Sequence, residues 1–153
     1  MPAPANQHMT KITSKMLGDA GEHYALSQLT FANKPATKMP DNWEGYDLAV
    51  EAGEGLVRVS VKTRSETKGW KSSKWFTFDD RKNCEWMIFI FKQQDGNLRA
   101  WIIPYSIALA NANIPGANRK SAWDREIGWN KLNNVPLLQY ENNWEMNNYI
   151  TDN

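Results

Sequence analysis

The chain has 153 residues, 41% of them hydrophobic, and a formal net charge of +1, which suits one ordinary domain with a real core and excludes a disordered polyelectrolyte. A single cysteine, Cys84, excludes an internal disulfide, and with only His8 and His23 beside it a Cys/His zinc cluster is excluded too. No apolar run reaches membrane length, and the first residues lack a basic-then-apolar leader pattern, so a cytoplasmic protein in a reducing compartment is expected.

Residues 1–9 read as a disordered tail, and 10–153 as a single domain. The spacing predicts a helix from Thr10 to about Ala32. Leu17, Ala20, Gly21, Tyr24, Ala25 and Gln28 share one side of it. Glu22 falls at the flank of that side, able to reach over a sheet edge, and His23 points away. Residues 34–41 form a loop or short strand interrupted by Pro35 and Pro40. Two strands follow, Tyr46–Val50 and Leu56–Arg64, joined by a turn over Glu51–Gly55. Tyr46, Leu48 and Val50 alternate with Asp47 and Ala49. Val57, Val59 and Val61 alternate with Arg58, Ser60 and Lys62. Residues two apart on a strand share a face. With the apolar faces together, Asp47 lies on the side of Ser60 and Lys62.

After a polar excursion, Trp75–Phe78 reads as a short strand and Asp79–Asn83 as a turn. Cys84 is expected to be a small buried residue. Trp86–Phe91 is a continuous apolar run, the mark of a strand buried on both faces. Asp95-Gly96-Asn97 turns the chain into Leu98–Ile103, and Pro104 opens a helix from Tyr105 to about Ala112. Ser121–Asp124 reads equally as helix or strand, and Trp144 and Tyr149 are packing anchors. This order points to an α/β domain with a mixed central sheet flanked by helices. The charge is uneven. Arg58 to Lys82 holds eight basic and three acidic residues, +5, which leaves −4 elsewhere. Such asymmetry suits a face for a polyanion, or else a solvated loop. Trp70 and Trp75, interleaved with Lys68, Lys71 and Lys74, suit stacking on bases or equally a lid over the sheet.

Asp47, Ser60-Val61-Lys62 and the upstream Glu22 resemble the core motif of the PD-(D/E)XK nuclease-like superfamily. Its pattern is an acid on one strand, acid-x-Lys on the next, and often a helical Glu. Ser60 departs from it, standing where the second acid belongs. The resemblance covers roughly Gly18 to Phe91 and implies a restriction-endonuclease-like core. It implies metal-dependent cleavage of DNA, with Mg²⁺ or Mn²⁺ held by Glu22, Asp47 and the backbone carbonyl of Val61. Lys62 would orient water or stabilise charge on phosphate, and Ser60 would bind a water or a phosphate oxygen. Lys38, Arg58, Arg64, Lys68, Lys71, Lys74 and Arg81 are the candidate contacts to a nucleic-acid backbone, and double-stranded DNA and a homodimer are expected. A non-catalytic nucleic-acid-binding relative and a protein-interaction module that keep this fold stand as alternatives.

Overall fold

A computed structural model of the chain describes residues 12–53, 55–66, 75–116 and 120–149. Helix α1 runs Ser14–Phe31. It starts later than the pattern predicts because Thr13 caps it, its hydroxyl accepting the Met16 N–H at 3.1 Å. Asn33, at φ 64°, turns the chain out of the helix. Gly21, Ala25 and Leu29, four residues apart, form its buried face.

The strands among the described residues are β1 (Ala36–Lys38), β2 (Leu48–Ala52), β3 (Gly55–Ser65), β4 (Trp75–Asp79), β5 (Trp86–Lys92), β6 (Leu98–Pro104) and β7 (Asp124–Gly128). Five make the mixed central sheet, in the order β1-β2-β3-β5-β6, and only the β3–β5 pair is parallel. β4 and β7 form a separate antiparallel ribbon. Helix α2 (Tyr105–Ala110) follows Pro104, and α3 (Trp129–Leu132) follows β7. Residues 121–123 form a turn, and β7 begins at Asp124.

The sheet separates two apolar layers. Ala25 and Leu29 of α1 pack with Leu48, Val50, Val59, Val61, Ile88 and Ile90. Phe76, Phe78 and Ile127 of the ribbon cover Met87, Phe89 and Phe91 on the opposite face. Strand β5 sits between them with residues 87–91 all buried, which is why its sequence is continuously apolar. Each fully buried Leu, Ile or Phe here contributes about 1.5–3 kcal/mol. Cys84 is buried, and that burial pushes its thiol up to about 11.

The first strand of the motif begins two residues later than expected, at Leu48. Tyr46 packs on the ribbon side, edge-on to Trp43, rather than on the α1 side with Leu48 and Val50. The backbone before it is turned by Gly45 at φ 97°, so regular alternation begins only at Leu48. Trp75 lies flat over Gly128, where an added Cβ would meet its ring at 2.7 Å. Trp75 is therefore a lid on the ribbon; Trp70 lies outside the described residues.

Candidate active site

β3 is longer than its antiparallel partner. The register pairs Leu48 with Val59, and the Asp47 N–H donates to the Val59 carbonyl. Beyond that point β2 has ended, while β3 continues to Ser65. The free edge is met by a side chain: the Val61 N–H donates to Asp47 Oδ2 at 2.8 Å. A strand residue points its N–H and C=O to the same edge, so the Val61 carbonyl opens beside this carboxylate. Asp47 Oδ1 has no hydrogen-bond partner among the described residues. The carboxylate thus sits at the sheet edge, between the two layers, rather than on the Ser60–Lys62 face.

Glu22 arrives from the α1 layer. The helix comes unusually close to β3, since a Cβ on Gly21 would lie 1.8 Å from Thr63 Oγ1. Only glycine permits that approach, and the next residue, Glu22, is carried towards Asp47. Burial, and then the charge of Asp47, raise the Glu22 pKa above the usual carboxylate range, against the opposing pull of Lys38. Lys38 Nζ lies 3.3 Å from Glu22 and 3.1 Å from Asp41. Glu22, Asp47, Asp19 and Asp41 line a cavity of about 220 Å³. Lys38 thus pairs with two of the carboxylates that line this cavity, and Lys15, which lines it, pairs with Asp19 and Asp41.

Ser60 and Lys62 project to the opposite layer. Ser60 is fully buried, its Oγ 3.4 Å from Asp47 Oδ2. Burial, then the nearby Lys82, lowers the Lys62 pKa, with Asp47 and Asp79 acting in the other sense. Lys62 has no hydrogen bond or ion pair among the described residues.

The other predicted contacts are divided. Arg58 is taken up by Glu85 at 2.7–2.8 Å and by Asn83. Arg81 is clasped by Asp79 at 2.7 Å and lies over the Trp123 ring. Arg64 lies on the β3 segment beyond β2, half-buried. Lys68, Lys71 and Lys74 lie outside the described residues. Sequence reasoning missed the inward turn of Lys38 and the position of Lys82 beside Lys62. The Lys38-x-x-Asp41 spacing was the one local signal for the first; the second depends on a turn returning from a distant strand.

Among the described residues no three His, Cys, Asp or Glu side chains are grouped to hold a metal by themselves. Two carboxylates and one carbonyl still fit a hard cation such as Mg²⁺, which keeps several waters and completes its shell with substrate phosphate.

No protein-family model and no curated protein matches the sequence. Among solved structures, the chain is similar to the bacterial homing endonuclease I-Ssp6803I, with a TM-score of 0.57 and 14% identity over 88% of this chain and 92% of that one. A second match is Hjc, a Holliday junction resolvase from the archaeal hyperthermophile Archaeoglobus fulgidus, with a TM-score of 0.46 and 13% identity over 74% of this chain and 85% of that one. The chain has a restriction-endonuclease-like fold.

Proposed function

We propose that this protein is a metal-dependent endonuclease that cleaves double-stranded DNA. The observation that carries the reading is the Asp47 carboxylate pinned at the free edge of β3, sharing a cavity with Glu22 on the α1 side and followed along β3 by Lys62 on the ribbon side. Glu22, Asp47 and the Val61 carbonyl would hold Mg²⁺ or Mn²⁺. When bound, such an ion polarises a phosphate and lowers the pKa of an attacking water. Asp47 keeps one oxygen on the Val61 N–H, which fixes its orientation, and leaves the other outward. Lys62, already stripped of most of its water, would donate to a phosphate oxygen as charge builds there. Ser60 lends Asp47 a weak hydrogen bond at most.

The buried Ser60 favours one second reading, a nucleic-acid-binding protein that kept the fold and lost an acid. Nicking of supercoiled plasmid with Mg²⁺, Mn²⁺ or EDTA, beside Asp47→Ala and Lys62→Ala, separates the two. Metal-dependent nicking lost in both variants supports the endonuclease. Salt-dependent binding with no nicking supports the second reading. Nicking that survives both substitutions sinks the site assignment. A homodimer, placing two sites across a duplex, would show as twice the chain mass in sedimentation.

A further inference from the structure

Helical spacing puts Leu17, Ala20, Gly21 and Tyr24 on one side of α1, and the fold covers that stripe only in part. Gly21 is buried against β3, whereas Leu17 and Tyr24 are half-buried and Ala20 is exposed. Against this stripe lies a cavity of about 260 Å³, between α1 and the end of the sheet where β5 turns into β6. Small residues leave the space open: Ala20 and Gly21 on the helix, and Gly96 in the turn after β5. Ile90 is buried at its base, and Ile12 and Leu98 are exposed at its rim. The wall is apolar with one clear exception. Among the described residues that line the cavity, Lys92 is the only charged one, and it has no ion pair among the described residues. Glu66, whose N–H donates to the Lys92 carbonyl at 2.8 Å, turns its carboxylate to the Gln94 N–H at 3.1 Å. An open apolar wall holds water that an apolar ligand releases, and the few polar groups of such a pocket set the ligand's orientation. The volume is small for a bulky ligand and suits a narrow chain.

We propose that this cavity binds a fatty carboxylate, a single aliphatic chain whose head group sits on Lys92 and whose tail lies against Leu17 and Tyr24. The unpaired ammonium selects an anionic head, and the apolar stripe selects the tail. The site lies apart from the Asp47 carboxylate and does not rest on the nuclease reading.

The test titrates the full chain calorimetrically with octanoate, octanol and octylamine, which share one tail and differ in charge, and with hexanoate and decanoate, which vary the tail. Octanoate is expected to bind with one molecule per chain, about tenfold tighter than octanol, with octylamine the weakest. Each added methylene should tighten binding about fourfold until the cavity is full. Lys92→Gln should bring octanoate to the affinity of octanol and leave octanol unchanged. Ala20→Phe fills the cavity and should abolish binding of both, while unliganded melting temperatures check that each variant is folded. If Lys92 only covered the apolar wall with its aliphatic stem, wild type would bind octanoate and octanol alike, which overturns the proposal. Octanoate binding that survives Ala20→Phe overturns it too, as does a wild type that binds no decanoate. A wild type that sediments at twice the chain mass, with Ala20→Phe at the single-chain mass, gives this face to a second copy and likewise overturns the ligand site.

Discussion

Two charged cavities settle their charges differently. The one on the α1 side is lined by Asp19, Glu22, Asp41 and Asp47, and lysines of the same protein meet these carboxylates: Lys38 serves Glu22 and Asp41, and Lys15 serves Asp19 and Asp41. The other is lined by Glu44, Asp79, Arg81 and Lys82, two acids and two bases, with Arg81 paired to Asp79. The first gathers acids that lysines answer, and the second is balanced within its own wall. Of the two, the first has the carboxylates that a hard cation needs.

The largest break in this comparison comes from Asp47. Asp47→Asn is expected to lower plasmid nicking by about 10³-fold, or ~4 kcal/mol of barrier, since it removes the carboxylate charge pinned at the free edge of β3. Nicking within threefold of wild type would show that Asp47 is not central. Ser60→Asp sharpens the contrast by adding the absent acid. A carboxylate at this fully buried position, beside Asp47, should cost ~3 kcal/mol of stability in EDTA. Mn²⁺ should return part of it, and a melting temperature insensitive to Mn²⁺ would place the cation elsewhere. Gly21→Ala pushes the layers apart, because its Cβ collides with Thr63. A loss of ~2 kcal/mol in urea unfolding is expected. Lys38→Met removes the internal cation, and calorimetric Mn²⁺ titration should show several-fold tighter binding, about 1 kcal/mol. Weaker binding would mean that Lys38 supports the metal site rather than competing for it.

The pairing of the two motif strands was legible because strand periodicity and one short turn fix it locally, but the place of the Asp47 carboxylate at the sheet edge was not. Leu48 opposite Val59 follows from matching the apolar faces, and Ser60 and Lys62 then share the other face. β5 announced itself by its unbroken apolar run, and so did the mixed central sheet built around it. The β4–β7 ribbon was not legible. Its partners are about fifty residues apart, and Asp124-Arg125-Glu126-Ile127-Gly128 buries only its last two residues, with no alternation to read. Separation along the chain also hid the fate of Arg58, whereas Arg81 is held by Asp79 only two residues away. Arg58 meets Glu85 because a parallel crossover returns β5 beside β3, so a cluster that looked open to a polyanion is partly neutralised at home. Tyr46 misled in a different way: it alternates correctly with Leu48, but Gly45 turns the chain before the strand begins.

The smallest expected effect tests that internal neutralisation. The guanidinium of Arg81 holds the Asp79 carboxyl down from 3.8 to about 2. A depressed folded-state value means that the native protein binds this proton less readily than the unfolded chain. Its stabilisation is therefore present above pH 3.8 and lost as pH falls from there towards 2. Asp79 is about one-third exposed, so solvent screening limits the contribution to roughly 1 kcal/mol. The stability difference between wild type and Asp79→Asn, from urea unfolding, should then shrink between pH 5 and pH 2. A difference constant over that range would mean that the pair contributes through the shape of the turn rather than through charge. At neutral pH the same substitution releases Arg81 into the cavity beside Lys82. Duplex binding should strengthen a few-fold even as the fold weakens, because an arginine formerly spent on Asp79 becomes available to phosphate. Opposite signs for stability and affinity would show that the pair withholds Arg81 from phosphate; a loss of both would assign Asp79 to the architecture of the turn alone.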